Sequence, residues 1–221
     1  MAIWLKGGLF MSEYTKIQTA GTNVALKVRK GHFATNHAHI NYHLDLATAK
    51  CRASEAQGLA KALVHNYLFA TVVDTIVCME GTSAMGAFLS EELTRSGFLN
   101  TNAHKTIYIV RPEFNSNSQI IFRDNLKPMI AGKNVMILMG SVVTGRSLNR
   151  AMESISYYGG KLTGVSAIFS AIDELNGMKI TSVFGKKDLP DYAYYDYHDC
   201  PMCKQGQKIE GLVNAYGLSM I

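Results

Sequence analysis

Val135-Met-Ile-Leu-Met-Gly-Ser-Val-Val-Thr-Gly-Arg-Ser147 runs from an unbroken apolar stretch, through a glycine-bearing turn, into residues at helical spacing. Val135–Met139 predicts a strand buried on both faces, and Gly140–Arg146 predicts a turn. Leu148, Ala151, Met152 and Ile155 then share one face of a helix over Ser147–Tyr158, with Ser147 placed as its cap. Backbone N–H groups in such a turn and at a helix start converge on a space suited to an anion, and Arg146 adds a permanent cation. Ser141, Val143, Thr144, Gly145, Arg146 and Ser147 are therefore the candidate phosphate-binding residues. An ordinary strand–turn–helix connection gives the same pattern.

The flanking sequence repeats this unit. Ala56, Leu59, Ala60, Leu63, Val64, Tyr67 and Leu68 lie at i, i+3, i+4, i+7 spacing after Ser54, which predicts an amphipathic helix capped by that serine. Val72–Cys78 reads as a buried strand, Met79–Met85 as a turn and Gly86–Arg95 as a helix. Thr106–Val110, Thr163–Phe169 and Ile180–Phe184 read as further strands, and Asn115–Ser118 as a loop. Strands alternating with helices through short turns predict an α/β fold, a parallel sheet flanked by helices. Ligands in such sheets bind beyond the strand C-termini, which singles out 79–85 and 140–147.

The 221 residues suit one sizeable α/β domain, and 48% hydrophobic against 18% charged residues excludes a mostly disordered chain. No apolar run approaches the ~20 residues a membrane span needs. Met1–Met11 lacks a signal-peptide pattern, and either Met1 or Met11 serves as a start. Four cysteines in this length do not make a disulfide framework, so a cytoplasmic protein is expected. The net charge is +5, and residues 101–150 hold seven basic residues against two acidic ones. Phosphate or a nucleic-acid backbone would answer that charge. The absence of any block of five or six like charges argues against a dedicated nucleic-acid tail.

The N-terminal part differs. In His37-Ala-His-Ile-Asn-Tyr-His-Leu-Asp45 polar and apolar residues alternate, which predicts a strand with one wet face in a small subdomain beside the sheet. His37, His39 and His43 share that face with Asn41 and Asp45, and His32 lies nearby. Solvated or pocket-lining side chains explain the pattern, and so does metal-binding His-x-His spacing. Residues 1–50 are thus assigned to an arm and this subdomain, 51–185 to the α/β core, and 186–221 to a tail packing back on the subdomain. Cys200 and Cys203 in that tail supply half of a zinc site. Completion would need His198 and another ligand, or the same pair from a second subunit; structural thiols and redox activity are the alternatives.

The segment 135–147 resembles the phosphoribosyl-diphosphate (PRPP) motif of type I phosphoribosyltransferases, orotate phosphoribosyltransferases in particular. Asp74-Thr-Ile-Val-Cys-Met-Glu-Gly-Thr-Ser-Ala-Met-Gly86 sits where that family has its pyrophosphate-binding loop, with Glu80, Gly81, Thr82 and Ser83 at its turn. Arg111-Pro-Glu113 resembles the start of the mobile catalytic loop, and Asp199-Cys-Pro-Met-Cys-Lys-Gln-Gly206 the ending of some bacterial orotate enzymes. The resemblance spans about residues 25–206. It implies a parallel sheet with a small N-terminal hood, a homodimer, a phosphorylated ribose compound or nucleotide as ligand, and Mg2+ if the transferase reaction runs.

The departures are specific. The adjacent acidic pair that holds the ribose hydroxyls of PRPP falls here on Met139 and Gly140, and the loop Lys and His fall on Asn115 and Asn117. Arg111 alone remains of that basic set, and amides neutralise a departing pyrophosphate poorly. Glu80 beside a polyanion would repel it unless a metal bridges them; it reads otherwise as a surface residue, or as the mark of a changed ligand. The expectation is a phosphoribosyltransferase-like protein with divergent or lost transferase chemistry. The rival is a non-catalytic ligand-sensing regulator that binds nucleic acid.

Overall fold

The computed structural model describes residues 14–69, 71–95, 100–103, 105–117 and 119–221, so the two candidate starts lie outside the described residues. The chain opens with β1 (Thr15–Ile17), β2 (Leu26–Ala34) and β3 (His39–Asp45), followed by α1 (Ala47–Cys51) and α2 (Ala53–Val64). Then come β4 (Thr75–Cys78), α3 (Ser83–Thr94), β5 (Tyr108–Val110) and a hairpin of β6 (Glu113–Phe114) and β7 (Ile120–Ile121). β8 (Asn134–Val142), α4 (Arg146–Tyr157), β9 (Lys161–Ser170), β10 (Glu174–Leu175) and β11 (Met178–Gly185) complete the core. The tail supplies β12 (Tyr194–Tyr195), α5 (Pro201–Lys204), β13 (Gly211–Asn214) and β14 (Gly217–Met220).

The core sheet has the order β10-β11-β9-β8-β4-β5, parallel except for β10 at its edge. The alternation of side chains along a strand divides its apolar residues between two layers. Ile76, Cys78, Met136 and Leu138 pack with α2, α3 and the hood. Val77, Val135, Ile137 and Met139 pack with Leu148, Ala151 and Ile155 of α4 on the other face. Both faces are covered, so the strands read as continuous apolar runs.

The hood is a second sheet of order β12-β3-β2-β13-β14, with β1 also paired to β2. Its antiparallel β2–β3 ladder shifts register between Lys30 and Phe33. The tail closes it on both sides: β12 pairs with β3, and β13 runs parallel to β2 through Gly211↔Phe33 and Leu212↔Ala34.

Several boundaries differ from the sequence reading. The expected turn at Gly140 is strand, because β9 is long enough to pair with β8 as far as Val142↔Ser170. The helix after it starts at Arg146, with Gly145 (φ 78°) rather than Ser147 at the N-cap. Ser54 does not cap α2; Arg52 stands there, because α1 ends one residue before α2 begins. α3 starts at Ser83, three residues before the expected Gly86. The expected wet face of β3 is only partly wet: Asn41 and Asp45 are half-exposed, but His39 and His43 are buried, with β12 paired along β3 and the Tyr14 hydroxyl 3.0 Å from His43 Nδ1.

α3 lies so close to β4 that a Cβ on Gly86 would overlap Cys78 Sγ. Gly86→Ala should therefore lower stability by about 1–3 kcal/mol through overpacking, despite alanine's better helix propensity. A urea midpoint shifted down at unchanged slope is the expected result; an unchanged or raised midpoint would show that this helix can move away freely.

Candidate functional site

The loops at 79–82 and 143–145 follow β4 and β8 at the same end of the sheet. The first is wound tightly, with Glu80 (φ 54°) and Gly81 (φ 82°) both in the left-handed region. Such a conformation is costly for glutamate and persists where its surroundings fix it. Here the fixing contacts are visible. Glu80 Oε2 accepts from the backbone N–H of Ser141 at 3.2 Å, and Lys50 at the end of α1 brings its charge to the same carboxylate. A Cβ on Gly140 would lie 2.9 Å from Glu80 Oε2 and 3.1 Å from Lys50 Nζ. The missing side chain at Gly140 is thus what makes room for this pair. Lys50 Nζ also donates to the carbonyl of Ala215 at 3.3 Å, so the β13–β14 turn reaches the site as well.

Burial pushes the Glu80 carboxyl above the ordinary carboxylate range, against the pull of Lys50 and of the Ser141 and Gly140 N–H groups. Burial likewise lowers Lys50, with Glu80 opposing. Lys50 had no signal in the sequence: a lysine in the last turn of a short helix reads as an ordinary dipole partner.

The other residues of this loop are less available than the sequence implies. Thr82 is buried, and its hydroxyl donates to the carbonyls of Met79 (2.8 Å) and Leu138 (3.1 Å). Ser83 Oγ is buried and has no partner among the described residues. Gly81 is exposed. Met139, at one acid position of the resembled motif, is a core side chain beneath α4. Cys78, at the end of β4, has its thiol pushed up to about 12 by burial, opposed by Thr82 and Arg111, and is no nucleophile at neutral pH.

At the second loop, Thr144 Oγ1 accepts the Arg146 N–H at 3.4 Å. Arg146 and Arg150 are exposed one turn apart on α4, and Ser147 is half-buried between them. Glu153 receives Asn149 Nδ2 at 2.7 Å, and no ion pair of Arg146 occurs among the described residues. His37, from the hood loop, comes close enough that its pKa is lowered by burial and then by Arg150 and Arg146. Arg146 and Arg150 thus present two exposed positive charges on α4, near enough to His37 of the hood to favour its neutral imidazole, which no sequence spacing indicates. A Cβ on Gly145 would point at Leu175 and Ile172, not into the loop's concavity. Substitution there strains φ and packing rather than blocking a ligand.

Arg111 is exposed after β5. The following segment is a hairpin stapled by Arg123 on Glu113, with two bonds of 2.6 Å. Asn115 organises its turn: its Oδ1 accepts the N–H groups of Asn117 and Gln119, each at 2.9 Å. Asn115 thus serves local structure, and Ser118 lies outside the described residues.

Far along the chain, Cys200 and Cys203 meet His32 and His39, the four ligating atoms lying within 4.8 Å of one another. His198, the partner suggested by spacing, is exposed and stacks on Tyr197. His37 and His43 do not join the cluster. Among the described residues no helix is long and apolar enough to cross a membrane.

No family model and no curated protein matches this chain. Among solved structures, UMP synthase of Leishmania donovani is similar over 74% of this chain and 34% of its own, at 19% identity and a TM-score of 0.53. An orotate phosphoribosyltransferase of Mycobacterium tuberculosis H37Rv is similar over 74% of this chain and 92% of its own (16% identity, TM-score 0.48). An adenine phosphoribosyltransferase of Thermoanaerobacter pseudethanolicus covers 65% and 88% (15% identity, TM-score 0.49). The fold is that of the type I phosphoribosyltransferases, as the resemblance implies. At these identities the likeness concerns the path of the chain and not its chemistry.

The Glu80 carboxyl, raised above its ordinary 4.5, binds more protons in the folded than in the unfolded chain. Its contribution to stability is complete below about pH 4.5 and is lost as pH rises through the folded value. Glu80→Gln removes that loss, so the variant should gain on the wild type in melting temperature as pH rises from 4.5 to neutrality. Parallel melting curves across that range would show a carboxylate that costs nothing to bury.

Proposed function

We propose that this chain binds a phosphorylated ribose compound or nucleotide through the 141–147 segment and has given up the transferase reaction of its fold. The observation that carries the proposal is the Glu80 carboxylate on the Ser141 N–H, with Lys50 beside it. A backbone donor in line for an anionic ligand is already matched by an anion of the protein's own. Pyrophosphate brought to that place would meet a carboxylate, and the Lys50 charge nearby is already set against that carboxylate.

The second support is what stands at the acid positions. In an active transferase, a nitrogenous base attacks C1 of PRPP and pyrophosphate leaves. The residues here do not fit the Mg2+ such a reaction would require. Met139 is packed in the core, Gly140 has no side chain, and Glu80, the carboxylate at the spot, is turned onto a backbone donor and a lysine. No step is therefore assigned to the metal.

The phosphate end is independent of these losses, because it acts through the α4 start and the exposed Arg146 and Arg150 rather than through carboxylates. The first turn of α4 carries no acidic residue. The reading is thus a ligand-binding member of a fold used in nucleotide metabolism. A cytoplasmic location follows from four cysteines being too few for a disulfide framework, and a homodimer remains an expectation from the resemblance. The exposed Arg146 and Arg150 on α4 also favour a second reading, a regulator that senses such a ligand and contacts nucleic acid.

The test is a calorimetric comparison of ribose 5-phosphate, nucleoside monophosphates, phosphate and PRPP, each with and without Mg2+. Ribose 5-phosphate should bind, and PRPP should bind no tighter with Mg2+ than without. Arg146→Ala should weaken ribose 5-phosphate roughly 10- to 100-fold, the range of a charge-assisted bond worth about 1.5–3 kcal/mol. Orotate with PRPP should give no orotidine monophosphate above background. Mg2+-dependent tightening of PRPP by tenfold, or measurable turnover, would overturn the loss of chemistry. Affinity unchanged in Arg146→Ala would remove the phosphate site. Nucleic acid retained by the wild type at low salt and released at high salt would favour the regulator.

A further inference from the structure

We propose that His32, His39, Cys200 and Cys203 form a closed, four-ligand zinc site that fastens the C-terminal tail to the hood, whatever the α/β core binds. The four residues come from β2, β3 and the start of α5, and their ligating atoms converge within 4.8 Å.

Four of the six separations between ligand atoms match those a tetrahedral zinc ion imposes, and all six are within 4.8 Å. With Zn–N of about 2.0–2.1 Å and Zn–S of about 2.3 Å, neighbouring ligand atoms stand about 3.3 Å apart for N–N and about 3.6 Å for N–S. Here His32 Nε2 lies 3.1 Å from His39 Nδ1, 3.6 Å from Cys200 Sγ and 3.7 Å from Cys203 Sγ. His39 Nδ1 lies 3.3 Å from Cys203 Sγ. Every one of these is within a few tenths of an ångström of the expected value.

The surroundings orient the ligands as well. His32 Nδ1 is 2.9 Å from the carbonyl of Gln207, so the ring places its proton there and turns the Nε2 lone pair to the cluster. The backbone of His32 is held in turn: its N–H donates to Glu210 Oε1 at 3.0 Å and its carbonyl accepts the Glu210 N–H at 2.7 Å. This happens at the register shift of β2, where a Cβ on Gly31 would come within 2.6 Å of the Glu210 carboxylate. The irregularity in β2 thus serves to aim one imidazole.

The donor set selects the metal. Two thiolates and two imidazoles in a tetrahedron suit Zn2+, which brings no redox chemistry. On binding, the two thiols lose their protons to solvent, and Zn2+ with two thiolates leaves the site neutral. His32 and Cys200 are fully buried, whereas Cys203 is exposed and offers the route of entry. The tail is short of other anchors here: α5 has only four residues and buries none apart from its cap, Cys200.

The test is metal analysis of the full chain purified without chelator, followed by Co2+ replacement. About one zinc per chain is expected, and the cobalt protein should show the thiolate charge-transfer and strong visible bands of a tetrahedral Cys2His2 site. Cys203→Ser, at the exposed ligand, should lose most of the metal and melt several degrees lower, and His198→Ala should keep both metal and melting temperature. Should Cys203→Ser fail to fold, the cobalt spectrum of the wild type decides alone. Metal at background after incubation with equimolar Zn2+ would overturn the site. A Cys200–Cys203 disulfide in protein handled under reducing conditions, half a zinc per chain, or loss of metal in His198→Ala would do the same.

Discussion

β8 is paired on both edges, by β4 and β9, and covered on both faces, by α2, α3 and the hood on one side and α4 on the other. A strand so placed commits nearly all of its side chains to packing, and Val135 through Met139 are all buried. Chemistry is left to the residues past its buried stretch, and to whatever approaches its exposed backbone N–H groups. That constraint explains why Met139 serves the core and why Gly140 matters through what it lacks. The space over Gly140, where a side chain would collide, is taken by Glu80 and Lys50.

Glu80 and Lys50 enter that space from opposite sides. Glu80 comes from the core loop after β4, and Lys50 from α1, which links the hood to the core. Lys50 also holds the carbonyl of Ala215 on the tail hairpin. The candidate ligand end is therefore where core, hood and tail meet, and the half-buried, oppositely charged Glu80 and Lys50 join them. Such a pair is a poor source of net stability, because desolvation offsets most of the attraction. Its effect is to fix where these parts sit relative to one another, and to hold a glutamate at positive φ.

The tail is bound to the hood three times more, by β12 along β3, by β13 along β2 and by the side-chain cluster under α5. The tail also gives Leu189 and Tyr192 to the core, and such contacts must offset the entropy of fixing a chain end. Strand pairing contributes to that on both sides of the histidine–cysteine cluster, through β12 before it and β13 and β14 after it.

The α/β class, the parallel sheet and the two loops beyond it were legible in the sequence, because buried strands and amphipathic helices impose local periods of apolar residues. So was the CxxC, since its two thiols lie close along the chain. The end of β8 was not legible: whether Gly140 is turn or strand depends on how far β9 runs alongside, which no local pattern records. Nor were the partners of the cysteines, because His32 and His39 sit more than 160 residues earlier. The alternation that contains His39 in β3 reads as a wet face until the tail is folded over it. The same holds for Lys50 with Glu80 and for His37 with Arg146 and Arg150. Local sequence determines what each segment can form, because helix and strand preferences are set by near neighbours. Only the tertiary structure decides which charges and ligand atoms face one another, because those distances are set by how separate segments pack.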